Sequence, residues 1–253
     1  MGYISTLDYG WSSGKLNIMP IKLYVIIPVS TDRWNEEVRL LCQTAADRDT
    51  VVNVLHLAHG PESIECIYDE TMAAPHLIEA VIAAEQSGAD GVIVYCFGNP
   101  AVDGAREAVS IPVVGLGEAA EVVALLLGDR FGIISTIPEA VPRLWRKARV
   151  LGVEGRLVAI VPLGIPVLHL NDHRRVVEAG LAAGRELVTR GAQVVILGCG
   201  ALLDDVADEL RRGLGIPVIV PAVAAVKLVE AYVKMGIAHS KTAYPPPPPK
   251  IWR

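Results

Sequence analysis

Residues 90–120, DGVIVYCFGNPAVDGAREAVSIPVVGLGEAA, and residues 192–225, AQVVILGCGALLDDVADELRRGLGIPVIVPAVAA, follow one plan. Each reads as a continuously apolar strand, a cysteine, one or more glycines, a polar helix and a second strand opened by Ile and Pro. A short, unbroken apolar run is the pattern of a parallel strand buried on both faces, whereas a half-exposed strand alternates. Cys96 and Cys199 therefore stand at one point of two copies, the carboxyl end of a buried strand.

Outward from these segments the copy extends over most of the chain. LYVIIPV (23–29), VVNVLHL (51–57), GVIVYC (91–96) and IPVV (111–114) form one set of strands. FGIIST (131–136), LVAIVPL (157–163), VVILGC (194–199) and IPVIV (216–220) form the second. Phe131 follows Leu23 by 108 residues and Cys199 follows Cys96 by 103, and so nearly constant an offset indicates duplication. The helical patterns at 76–90 and 174–193 reach Gly88 and Gly191, each suited to a left-handed cap, and each leads into the strand that ends in a cysteine. The predicted fold is α/β: two pseudo-symmetric parallel-sheet domains of about four strands each, joined by right-handed crossovers, with the active site in the cleft between them. Residues 1–116 with 221–253 are expected to form the first lobe, and residues 117–220 the second.

Composition narrows the function. The chain has 253 residues, 52% of them hydrophobic, enough for a sizeable core. A net charge of −5 with scattered Lys and Arg gives no basic field, which argues against nucleic acid and for a small-molecule substrate. The longest apolar stretch, 157–170, is too short for a bilayer and is broken by Pro162, Gly164 and Pro166, so no membrane role is expected. The polar start at 1–17 lacks the apolar core of a signal peptide, Met19 is a candidate natural start, and the expected compartment is the cytoplasm. In that reducing setting the four cysteines are expected as free thiols. The polyproline run at 245–249 is expected on the surface or against a neighbour, and a homo-oligomer is the expected assembly.

Two thiols presented from opposite sides suit one reaction, inversion of a carbon stereocentre. One base removes the proton from one face and its partner delivers a proton to the other, and a thiol near its ordinary pKa can play either part. A cysteine just before a helix would also feel the positive end of the helix dipole. A lone strand-end cysteine is commonly just a small buried hydrophobe; the equivalence of Cys96 and Cys199 is what marks them. Cys42, in a helical run, reads as core, and Cys66 as structural. Gly98, Gly198 and Gly200 would admit close approach of backbone to a ligand. Ser30, Thr31, Ser135 and Thr136 end the first strand of each copy, where hydroxyls cap helices and also meet substrate.

Other chemistries lack their residues. His56 with His59, and His169 with His173 beside Asp172, have spacings a metal could use but no third placed ligand, so no metal is expected. No lysine ends a core strand to anchor pyridoxal phosphate. GLGEAA (115–120) lacks the third glycine of a dinucleotide fingerprint. No cofactor is expected.

The string GPESIECIYDETMAAPHLIEA (60–80), the segment around Cys96 and the run VVILGCG (194–200) together resemble the hydantoin racemases of the aspartate/glutamate racemase superfamily. The resemblance runs from Leu23 to about Lys241. It implies a cofactor-independent enzyme that inverts C5 of 5-monosubstituted hydantoins by two-base chemistry, with Cys96 and Cys199 as the bases. It also implies substrate contacts at Gly98, Asn99, Gly200, Ala201 and Thr136. The family usually has Asp where this chain has Asn99, and Ala then Gly where it has Gly200 then Ala201. Related arylmalonate decarboxylases keep one of the two cysteines, and the presence of both argues against that reaction.

Phe97, Pro100, Leu202 and Leu203 around the thiols lean toward an apolar 5-substituent. Allantoin is an alternative cyclic ureide. An aspartate- or glutamate-type racemase would need cations for two carboxylates, for which Arg33 is one candidate. A two-lobed small-molecule-binding protein is the non-enzymatic alternative, and it would need no pair of equivalent cysteines.

Overall fold

The computed structural model describes residues 20–250. The expectations for residues 1–19, including Met19 as a start, lie outside the described residues. Within the described residues eight strands and eight α-helices follow in near alternation. The first set is β1 (Ile21–Ile27), α1 (Asn35–Ala45), β2 (Thr50–His56), α2 (Ile67–Gln86), β3 (Gly91–Val94), α3 (Val102–Ala108) and β4 (Val113–Gly115). Helix α4 (Leu116–Leu127) leads to β5 (Phe131–Ser135), α5 (Val141–Leu151), β6 (Leu157–Pro162), α6 (His173–Thr189), β7 (Val194–Leu197), α7 (Asp204–Leu214), β8 (Val218–Ile219) and α8 (Pro221–Met235).

The strands form two four-stranded sheets of identical plan, β2-β1-β3-β4 and β6-β5-β7-β8, and every pairing is parallel. The predicted duplicated α/β fold is thus the observed one. β3 and β7 are buried along their whole length, as their unbroken apolar sequences require. Gly88 and Gly191 take φ of +83° and +92°, the left-handed conformation that ends α2 and α6 just before those strands. Helix α8 packs on α1, β3 and β4 as well as on α4, so the chain returns to the first sheet after completing the second.

In sheets of this order the direction of winding reverses between β1 and β3, and again between β5 and β7. The carboxyl ends of those strands leave a crevice where ligands bind in open parallel sheets. Val94 closes β3 two residues before Cys96, and Leu197 closes β7 two residues before Cys199, so both thiols stand at such a reversal.

Helix α2 departs from the sequence expectation. A start at residue 76, after Pro75, is predicted, yet the helix begins at Ile67 and carries Pro75 inside it. The cause is a strong cap: the Asp69 carboxylate accepts the backbone N–H groups of Glu65 and Cys66, at 2.9 and 3.1 Å, and fixes the first turn. Cys66 is the N-cap residue, a structural role as expected. The early start places Glu70 on the buried stripe that continues through Ala73, Leu77, Val81 and Ala84.

Candidate active site

One pocket is lined by the ends of four strands: Ile27 to Val29 after β1, Tyr95 to Gly98 after β3, Thr136 after β5, and Gly198 to Ala201 after β7. Cys96 and Cys199 both line it. The remaining wall comes from Trp34, Glu37 and Val38 at the start of α1, Ser63 and Ile64 before α2, Arg143 of α5, Val167 and Leu203. It opens into a polar vestibule that shares Trp34, Glu37, Val167, Ala201 and Leu203 and adds Arg33, Asn171, His173 and Asp205.

Three hydrogen bonds join the lobes around this pocket. Tyr95 Oη donates to the Gly200 carbonyl at 2.9 Å. The Val167 N–H donates to Glu65 Oε1 at 2.9 Å. The Arg143 guanidinium pairs with the Glu70 carboxylate, both side chains being 8% exposed, and Lys147 Nζ stands 3.3 Å from the other Glu70 oxygen.

Both thiols keep a little accessible surface but are crowded by protein, and burial pushes both up. Cys199 is raised to about 12, and Cys96 is raised with the Arg143 charge acting against the rise. Cys199 Sγ accepts the backbone N–H of Ala201, two residues on, at 3.4 Å, and the Gly98 amide opposes the rise at Cys96 in the same sense. Such bonds favour the thiolate. The expectation of a helix dipole does not hold in the form stated, because α3 and α7 begin only at Val102 and Asp204. The local amides supply the partial positive charge instead. Cys42 is fully buried and burial lifts it to about 12, in keeping with a core residue.

Of the residues expected at the site, Cys96, Phe97, Gly98, Thr136, Cys199, Gly200 and Ala201 line the pocket. Ser30, Thr31, Asn99 and Ser135 do not. Ser30 Oγ donates to the Gly60 carbonyl at 2.9 Å and Thr31 Oγ1 accepts the Arg33 N–H at 3.3 Å, so both are held in the loop after β1. They are not helix caps either: Trp34 is the N-cap residue of α1. Ser135 and Thr136 are adjacent at a strand end and project to opposite sides, so only Thr136 reaches the pocket. Asn99, at φ +50°, accepts the N–H groups of Gly117 and Glu118 through Oδ1, at 2.8 and 3.4 Å. It caps α4. Gly115 and Gly117 leave room for that loop and not for a phosphate, since a Cβ at either would strike Asn99 or the Phe97 carbonyl.

Arg143, Glu70, Trp34, Glu37 and Val167 were not anticipated. Arg33, the cation expected near the strand ends, stacks over Trp34 at 5.6 Å in the vestibule, and Arg143 is the cation beside the thiols. Glu70 did leave a trace in the sequence, a carboxylate on the stripe of Ala73, Leu77, Val81 and Ala84. Pro100 and Leu202 are absent from the lining; the apolar wall is instead Ile27, Val29, Val38, Ile64 and Val167 with Trp34, Phe97 and Leu203. One histidine of each pair has a protein partner: His173 lies 3.1 Å from Asp205 and 2.8 Å from Glu209, and His56 Nδ1 is 3.0 Å from the Asn35 amide.

Two sheets of identical plan bring a thiol from each reversal point to one pocket, the arrangement an acid–base pair needs. Residues 23–229 match the family model for Asp/Glu/hydantoin racemase, and the chain belongs to that family. It is 33% identical over 224 residues to the hydantoin racemase of Paenarthrobacter aurescens, covering 87% of this chain and 94% of that one. Among solved structures, allantoin racemase from Klebsiella pneumoniae has a TM-score of 0.87 at 30% identity, covering 92% of this chain and 96% of its own. Allantoin racemase from Pseudomonas fluorescens has a TM-score of 0.88 at 28% identity, covering 92% and 100%. The protein is an enzyme of the racemase type. Among the described residues no helix is long and apolar enough to cross a membrane.

Proposed function

We propose that the enzyme inverts C5 of 5-monosubstituted hydantoins, with Cys96 and Cys199 as an acid–base pair and no cofactor, acting in the cytoplasm. The observation that carries this reading is that the two thiols line one pocket from equivalent strand ends. A thiolate takes the C5 proton and becomes a thiol, while the electron pair passes into the adjacent ring carbonyl as an enolate. The opposite thiol returns a proton to the other face and becomes the thiolate. The C5 proton of a hydantoin is acid enough for bases of this strength when the enolate oxygen is met by donors. The apolar wall from Ile27 to Leu203 suits an aliphatic or aromatic 5-substituent.

Allantoin is the second reading, supported by the allantoin racemases among similar structures and by Glu37, whose carboxylate at the rim could accept N–H groups of a 5-ureido substituent. Optical rotation over L and D forms of 5-benzylhydantoin, 5-isopropylhydantoin and allantoin tests both. Faster racemisation of the apolar hydantoins is the expected result. Preference for allantoin would establish the second reading, and inertness toward the whole panel would overturn both.

A further inference from the structure

The two thiols are equivalent by position but not by surroundings. Cys96 and Arg143 of α5 line one pocket, Gly98 two residues on packs against Arg143 and Glu70 of α2, and Lys147 of α5 stands 3.3 Å from Glu70, so two cations and one anion act on Cys96. Cys199 faces Arg143 and, from the loop before α2, Glu65, one cation and one anion, together with Cys96 itself. The cluster beside Cys96 is locked in place. Gly98 has no side chain because a Cβ there would overlap the Glu70 carboxylate and the Arg143 guanidinium. Arg143 Nε is buried without a hydrogen-bond partner, so the carboxylate of Glu70 does not take up the whole guanidinium. Neither α3 nor α7 starts close enough to either cysteine to offset the difference.

We infer that the Arg143–Glu70–Lys147 cluster breaks the symmetry of the pair, making Cys96 the thiol that ionises first and Cys199 the one that keeps its proton, with Arg143 as the positioning residue for that charge. The physical basis is that a net positive charge within a few ångströms favours the ionised form of an acid, while a balanced pair leaves burial unopposed. The inference rests on the acid–base reading of the two thiols. It specifies which half of the proton relay gives up its proton first. It also assigns the Arg143–Glu70 ion pair a chemical role, since that pairing holds the Arg143 charge against Gly98, two residues from Cys96.

The test needs no substrate. Initial iodoacetamide labelling is followed at each cysteine peptide by mass spectrometry across pH, with Cys96 read in a Cys199→Ser background and Cys199 in a Cys96→Ser background. The labelling midpoint of Cys96 should lie at least about one unit below that of Cys199. Arg143→Gln should raise the Cys96 midpoint by about one unit or more, Lys147→Gln by less, and Arg143→Lys should restore it. Glu70→Gln should lower it. A merely structural cluster could not give opposite signs for the two partners of one ion pair. Should Arg143→Gln fail to fold, Lys147→Gln and Glu70→Gln still decide the matter. Equal midpoints, a lower midpoint for Cys199, or a Cys96 midpoint that ignores these charges would overturn the inference. A protein that titrates as described but leaves hydantoins and allantoin unchanged would refute the proposed function and leave the electrostatic asymmetry standing.

Discussion

The Tyr95 hydroxyl donates to the carbonyl oxygen of Gly200 at 2.9 Å, so the residue before one thiol holds the residue after the other. The Tyr95 ring lies where a side chain at 200 would be, since a Cβ there would meet Cε1 at 2.6 Å and Leu116 at 3.2 Å. The Gly200-Ala201 order, reversed from the family's usual one, thus has a packing reason.

Removing that hydroxyl should loosen the spacing of the thiols without touching either. Tyr95→Phe should cost about 1 kcal/mol of stability and lower kcat more than it changes KM. Gly200→Ala should be worse on both counts, because the ring has to move. Thermal melts and steady-state racemisation read the two effects; an unaltered kcat in Gly200→Ala would show that the link is not used.

Activity should depend on forming one thiolate and keeping one thiol. Burial raises both groups, so the rate should climb through neutral pH, with a rising limb at or above the ordinary thiol range near 8.5, and fall once both ionise. The limits belong to the pair. A kcat/KM profile flat between pH 6 and 10 would be incompatible with thiol chemistry.

Glu121 of α4 is 2% exposed, and burial followed by repulsion from Glu118 lifts it to about 8. A raised carboxyl favours folding only while the unfolded chain also holds the proton. Its contribution is therefore complete below about pH 4.5 and is lost as pH rises toward 8, at roughly 1.4 kcal/mol per unit. Glu121→Gln should raise Tm by several degrees at pH 8 and leave it nearly unchanged at pH 4.5. An equal Tm change at both pH values would contradict this.

His239, past the end of α8, accepts the Val113 N–H through Nε2 at 2.8 Å and so covers the outer edge of β4. Burial and the Arg106 charge depress it to about 4. A depressed histidine favours folding above its unfolded pKa near 6.5 and loses that contribution as pH falls through 4. Lys241 Nζ, which donates to the Arg106 carbonyl at 2.6 Å, anchors the same segment. Hydrogen exchange at Val113 and over 237–244 should accelerate, relative to the core strands, between pH 6.5 and 4, and His239→Gln should flatten that dependence. Uniform protection across the range would refute it.

The strands and the duplication were legible because a doubly buried strand has little choice of composition, as in GVIVYC and VVILGC. The thiols followed from the repeat. What was not legible came from lobe packing: Arg143, Trp34 and Val167 meet the cysteines only across long sequence separations. The family resemblance implies a substrate contact at Asn99, yet its left-handed backbone turns the side chain onto α4. Ser30 and Thr31 lie off the pocket for a related reason, since Ser30 is bonded to the Gly60 carbonyl in the loop after β2 and Thr31 to the Arg33 N–H in its own loop. Position along a strand is written in sequence; the direction taken by the following loop is not.

Hydrogen exchange at C5 in deuterated solvent tests the two-base account most directly. The wild-type enzyme should incorporate deuterium into the product enantiomer as fast as it racemises either form of 5-benzylhydantoin. Cys96→Ser and Cys199→Ser should each lose racemisation by at least about a thousandfold, serine being far too weak a base at neutral pH. Each variant should retain exchange, if any, with one enantiomer only, and the two variants with opposite ones. Full racemisation surviving in either variant, or exchange of both enantiomers by one of them, would contradict a mechanism in which the two thiols address opposite faces of one carbon.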